Sequence, residues 1–162
     1  MQLIKDKKIV EDNWITLPSE ATVSDISEGD VILPLALWNE AKGNLKNRNG
    51  KLGVALTAEE NIEDILSDLD RLELIALEFP MFKNGRHYSS ARLLRDRYNF
   101  EGEIRAYGDV NRDQLYYMTR VGFNTFRLNS DADIEQALSG FNDFSVQYQS
   151  SYDQPLPLYR RR

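Results

Sequence analysis

Five apolar runs begin near Val31, Leu52, Leu74, Glu103 and Asn124, at spacings of 21, 22, 29 and 21 residues. Each interval accommodates a strand, a helix and two short loops. The spacing therefore predicts about five successive βα units in a mainly parallel sheet. Helices are expected at Glu60–Leu72, His87–Tyr98, Val110–Val121 and Ala132–Phe141, with a shorter one at Asn39–Lys46. Asp109 stands where the helix Val110–Val121 needs an N-cap, and Gly122 where its C-terminus needs a left-handed residue. Asp131 is placed to cap the last helix.

Alternation along the runs separates two faces. One collects Val31, Leu33, Leu35, Leu37, Leu52, Val54, Leu56, Ile75, Leu77, Phe79, Ile104, Ala106, Phe126 and Leu128, all apolar. The other collects small residues early (Pro34, Ala36, Gly53, Ala55, Thr57, Ala76) and polar or charged ones late (Glu78, Arg105, Tyr107, Thr125, Arg127). A doubly wound sheet buries both faces under helices and reads as apolar throughout. Burying Glu78, Arg105 and Arg127 unpaired would cost several kcal/mol each. The pattern therefore favours a half-barrel-like sheet with helices mostly on one side and a charged concave face. The alternative is a flavodoxin-like doubly wound sheet with those charges at strand ends.

Residues 1–149 read as one α/β domain. Residues 1–17 form a small antiparallel element of strands Gln2–Ile4, Lys8–Val10 and Trp14–Leu17, joined by the turn-like pairs Asp6-Lys7 and Asp12-Asn13. Ser145–Gln149 reads as a further strand. Residues 150–162, with Pro155, Pro157 and Arg160-Arg161-Arg162, read as an extended basic tail.

The net charge of −6 argues against nucleic acid as a partner. No apolar run reaches the length of a membrane span, and the N-terminus lacks the apolar centre of a signal peptide, so a cytoplasmic protein is expected. The absence of cysteine excludes disulfides and thiolate chemistry, and His87 is the only histidine, so no metal site is expected. The charge is uneven. Residues 1–80 carry eight basic and sixteen acidic side chains, whereas 83–127 carry nine Lys/Arg against five Asp/Glu. That second stretch suits a small anion or an acidic surface.

Two predicted strand ends within it each deliver a glycine, an arginine and a helix start. Asn84-Gly85-Arg86 follows one strand; Gly108-Asp109, with Arg112 a turn later, follows the next. Helix N-termini present unpaired amides and partial positive charge, and guanidinium groups add bidentate donors for oxyanions. Asn84, Gly85, Arg86, Arg105, Gly108, Asp109 and Arg112 are therefore the candidate anion- or partner-binding residues. The alternative is internal pairing of these arginines with Glu78, Asp109 or Asp113. His87 has the pKa of a general base, but no nucleophile signature accompanies it, and a surface or capping role is the simpler expectation. Tyr88, Tyr98, Tyr107, Tyr116, Tyr117, Phe79, Phe82 and Phe100 cluster in the same stretch. They suit either stacking on a flavin or porphyrin-like cofactor or core packing. No dinucleotide, phosphate-loop or zinc-protease motif is present. Catalytic residues and cofactor remain unassigned at this level.

The same stretch resembles a family of short bacterial proteins of unknown function, commonly encoded beside assimilatory sulfite reductase and labelled as oxidoreductases of sulfite reduction. The resemblance is carried by Phe79-Pro80-x-Phe82, Asn84-Gly85-Arg86-His87-Tyr88-Ser89, Ala91-Arg92-Leu93-Leu94-Arg95, Arg97-Tyr98, Gly102-Glu103-Ile104-Arg105-Ala106, Gly108-Asp109-Val110, Arg112-Asp113-Gln114 and Gly122-Phe123. It spans Val31–Phe126 especially and includes the basic C-terminal end. His87 departs from it, standing where a small residue is expected. The resemblance implies a role in sulfite or sulfate reduction. Three forms of that role remain open. One is an accessory protein binding sulfite reductase, another sulfate-assimilation enzyme or a small anion. The second is an oxidoreductase with a bound cofactor, in which His87 or Asp109 moves protons. The third is a structural homodimer closed across the concave face.

Overall fold

The computed structural model describes residues 1–80, 85–129 and 133–142. Eight strands form one sheet: β1 (Gln2–Lys5), β2 (Lys8–Glu11), β3 (Ile15–Thr16), β4 (Val31–Pro34), β5 (Leu52–Leu56), β6 (Leu74–Phe79), β7 (Glu103–Gly108) and β8 (Thr125–Phe126). Their order is β2-β1-β8-β7-β6-β5-β4-β3. Neighbours from β3 to β8 pair in parallel, while β1 is antiparallel to both β2 and β8. Among the described residues, four α-helices accompany the strands: α1 (Leu35–Ala41), α2 (Arg86–Asp96), α3 (Arg112–Val121) and α4 (Ile134–Leu138). The five expected βα strand positions are all occupied, in a mixed, mostly parallel α/β fold.

The N-terminal element differs from the expected one. Its first two strands form a hairpin, with Asp6 and Lys7 at positive φ (52° and 65°) in the turn. The third strand does not join them. It pairs in parallel with β4 at the opposite end of the sheet. Laid flat, eight strands would separate β2 from β3 by roughly 34 Å at about 4.8 Å per step. Yet only Asp12, Asn13 and Trp14 connect them, a span of at most about 14 Å. The sheet therefore has to curl into a half-barrel whose edges are bridged by those three residues.

The helices lie on the convex side. Buried residues of α1 (Leu37, Trp38), α2 (Ala91, Leu94), α3 (Leu115, Met118) and α4 (Ala137) share one core with Val31, Leu33, Val54, Leu56, Ile75, Leu77, Ile104, Ala106 and Phe126. A second, smaller cluster lies on the concave side, where Trp14, Ala55 and Tyr107 pack against Ile32, Leu74 and Ala76. Leu35 and Leu37 belong to α1 rather than to a longer strand. Pro34 ends β4 because it has no N–H for the ladder, and its fixed φ of −59° leads into the helix.

Residues Ile62–Arg71, expected as α-helix, form 3-10 turns. Ile62, Ile65 and Asp68 are the buried positions. Their strict three-residue steps eclipse one another in a 3-10 helix and would wander around an α-helix. This places Asp68 against α1, where Trp38 Nε1 and Lys42 Nζ each donate to it at 3.0 Å. Burial alone would raise the Asp68 carboxyl, but the bonds from Trp38 and Lys42 and the Lys42 and Arg71 charges hold it below its ordinary value.

The last helix is Ile134–Leu138, shorter than expected and capped by Asp133, whose side chain accepts from the Glu135 and Gln136 amides. Asp131, Ser145–Gln149 and the tail 150–162 lie outside the described residues.

Candidate functional site

The register of β6 with β7 runs from Leu74↔Glu103 to Phe79↔Gly108, so both strands end together. The loops leading to α2 and α3 consequently leave the same rim side by side. Arg86 and Arg112 are the first residues of those two helices, and both are exposed. Gly85 is the N-cap of α2. At Gly108 the chain turns at φ +94°, and a Cβ there would collide with the Phe79 carbonyl oxygen. Asn84 lies outside the described residues.

The rim arginines lean apart. Arg86 Nη1 donates to Glu59 O at 3.1 Å and to Asn61 Oδ1 at 3.2 Å, on the β5 side. Arg112 Nε donates to Ser139 Oγ at 3.3 Å, on the α4 side. Asp109 does not cap α3. Its Oδ1 accepts from Asn111 Nδ2 (3.3 Å) and Asn129 Nδ2 (3.0 Å). The cap is Asn111, whose amide donates to Gln114 Oε1 at 2.9 Å. The helix starts two residues late because Val110 turns inward to full burial, taking the N′ position of a hydrophobic staple opposite Leu115.

Arg105 is not on the rim. It lies on the concave face, 2% exposed. Its Nη1 and Nη2 donate to Asp12 Oδ2 and Oδ1 at 3.1 and 3.3 Å, and Nη2 also reaches Glu103 Oε2 at 3.0 Å. Lys5 Nζ pairs with Glu103 Oε1 at 3.0 Å, completing a four-member network. The partner that sequence spacing could not supply is Asp12, 93 residues away, delivered by the bridge between the sheet edges.

His87 is neither a surface nor a capping residue. It is 1% exposed, with Nε2 at 2.8 Å from Thr57 O and Nδ1 at 3.1 Å from Ser90 Oγ. Facing a carbonyl, Nε2 carries the proton and donates, tying α2 to the end of β5. Burial lowers the His87 pKa, opposed by the Thr57 hydrogen bond, with the Arg86 charge lowering it further and Glu78 and Glu60 raising it. Because the folded value lies below the ordinary 6.5, the folded protein takes up this proton later than the unfolded chain does. The stability His87 contributes is complete above pH 6.5 and is lost as pH falls through the lowered value. Thermal melts from about pH 7.5 to about pH 5.5 should show a steeper loss in the natural protein than in His87→Gln. Equal slopes would contradict this.

Phe79, Tyr88 and Tyr117 of the aromatic cluster pack against one another and against three further phenylalanines, while Phe82 lies outside the described residues. Tyr117, Tyr88, Phe79, Phe123, Phe126 and Phe141 form a chain with successive centroids 5.1, 4.9, 5.5, 6.5 and 5.5 Å apart. Tyr107 stands apart, on the concave face, donating its hydroxyl to Leu56 O at 3.2 Å. Burial, then the Glu78 and Glu60 charges, push its phenol far above the ordinary value, so it is neutral.

Residues 53–159 match the model of a bacterial protein family of unknown function, DUF934. The chain belongs to the DUF934 family. None of the curated proteins matches it. The DUF934 match includes both rim loops, Arg95, Arg105 and Arg127, and starts later than Val31, leaving β1–β4 and Asp12 outside it. Among the described residues of this DUF934 protein, no three His, Asp or Glu side chains are grouped to hold a metal ion, and no helix is long and apolar enough to cross a membrane.

Sequence reasoning missed two residues of this family member. Arg95, 6% exposed, donates to Gly122 O (3.0 Å), Phe100 O (2.8 Å) and Gly102 O (2.8 Å), clamping the turns after α2 and α3. Arg127 stands beside Tyr107 on the concave face, since its amide donates to Ala106 O at 2.9 Å and continues the β7–β8 register. The two-residue alternation had placed it on that face, with no sign that its guanidinium makes no hydrogen bond or ion pair among the described residues.

Proposed function

We propose that this protein is an accessory binding protein of sulfite or sulfate reduction, which engages sulfite reductase or another anionic partner through the rim at the C-terminal ends of β6 and β7. The observation that carries the reading is the shared end of these strands: two neighbouring helices begin there, each with an exposed arginine as its first residue. Amides at helix starts and guanidinium groups favour oxyanions and carboxylates. The arginines lean apart, which suits an extended acidic surface better than one small ion. The two rim residues with a candidate role in moving protons are engaged in holding the fold: His87 through both ring nitrogens, Asp109 by Asn111 and Asn129. That favours binding over turnover. The link to sulfur metabolism comes from the resemblance of the segment 79–123.

The test is co-purification of the protein with sulfite reductase from the same organism at low and high salt. Capture should weaken as salt rises and fall about tenfold or more in Arg86→Ala/Arg112→Ala. Salt-independent capture, or capture untouched by the double substitution, would overturn the reading. Visible absorbance in the purified protein would favour the oxidoreductase instead.

A further inference from the structure

The curl of the sheet makes a second site, unconnected with the rim. Two hollows meet on the concave side. The inner one, of about 70 Å³, is floored by Ile32, Ala55 and Ala76 beside Tyr107. The outer one, of about 340 Å³, opens between the sheet edges and is walled by Trp14, Leu17, Pro18 and Asp12. Thr16 of β3 and Arg127, just after β8, line both. β3 is an edge strand and β8 lies five places away in the strand order, so only the curl of the sheet brings these two residues together, and the hollows occupy the resulting seam.

The charges in this seam are not balanced. Asp12 is bound through both oxygens by Arg105, and Glu103 by Arg105 and Lys5. Arg127 is half-buried, yet among the described residues its guanidinium makes no hydrogen bond or ion pair. Tyr107 offers it no counter-charge, since the phenol stays protonated and bonds to Leu56 O. Arg105 also lines the inner hollow but is held by Asp12 and Glu103, so Arg127 is the cation left without a bonded partner among the described residues, between the groove walled by Trp14 and the apolar floor.

We infer that the seam binds a small monocarboxylate with an apolar or aromatic body, its carboxylate on Arg127 and its body against Trp14, Leu17 and Pro18. A guanidinium takes a carboxylate through two parallel N–H···O bonds. One positive charge neutralises one negative charge, whereas a sulfate or phosphate dianion would keep an uncompensated charge in a half-desolvated groove. The apolar wall contributes only if the ligand carries a body to cover it.

Benzoate is the probe, with benzamide as its neutral isostere and sodium sulfate as the dianion, all at constant ionic strength. The readout is the Trp14 indole N–H resonance. The Trp38 indole, fully buried and bonded to Asp68, is the internal control for fold. Benzoate should shift Trp14 saturably and leave Trp38 in place; benzamide and sulfate should not saturate. Arg127→Gln should weaken benzoate by at least about tenfold, Arg127→Lys by less, and Arg86→Ala not at all. The inference is overturned if Trp14 does not respond, if benzamide or sulfate matches benzoate, or if Arg127→Gln binds as the natural protein does with Trp38 unmoved. Because Arg86→Ala abolishes neither benzoate binding nor the fold, failure here and failure of the rim reading are separate results.

Discussion

Arg105→Met is expected to lower the unfolding free energy by about 3–5 kcal/mol, measured by urea denaturation. The substitution leaves the side chains of Asp12 and Glu103, 8% and 7% exposed, without the cation between them. Glu103 retains Lys5; Asp12 retains nothing comparable among the described residues. The loss comes from stranded charge rather than from a lost attraction, so the triple variant Asp12→Asn/Glu103→Gln/Arg105→Met should recover most of it. If the triple variant is as unstable as the single, the network is not the cause. The consequence is also topological: Asp12 sits in the bridge that joins the sheet edges, so loosening it should expose Trp14 first.

Arg95→Met should cost about 3 kcal/mol or more, through a different cause. Three backbone carbonyls, from Phe100, Gly102 and Gly122, lose their donor, two of them in buried hydrogen bonds. Gly122 sits at φ +125°, and a Cβ there would meet the Arg95 side chain at 2.6 Å, so the clamp and the helix end are fitted to each other. Arg95→Lys should recover only part of the loss, because one ammonium cannot span three acceptors that a planar guanidinium reaches. Native-state hydrogen exchange should show the deficit concentrated in residues 97–104 and 121–125; a uniform loss would mean the clamp is not local.

The parallel core was legible because β4 to β8 follow local rules: apolar runs, helix periods and glycine at helix ends. What escaped depends on distance in the chain. Asp12-Asn13 looks like an ordinary turn before a strand at Trp14–Leu17, and only the curl of the whole sheet sends β3 to the far edge. The charged residues on the second face indicated a curled sheet with helices mainly on the other face, but not that Arg105 would be held by an acid 93 residues earlier while Arg127 would not. The start of α3 was misplaced because Asp109 and Asn111 are both good caps, and the choice is made by burial of Val110. Of the candidate site, the adjacency of the two rim loops was readable from strand order alone; the divergent lean of Arg86 and Arg112 was not.

The most direct test of the binding claim is amide hydrogen exchange of the protein free and in complex with sulfite reductase. The account predicts slowed exchange at Gly85–Tyr88 and at Asp109–Asp113, relieved by salt. Protection confined to the β1–β2 hairpin or to the outer surfaces of the helices, with those rim amides unchanged, would contradict it.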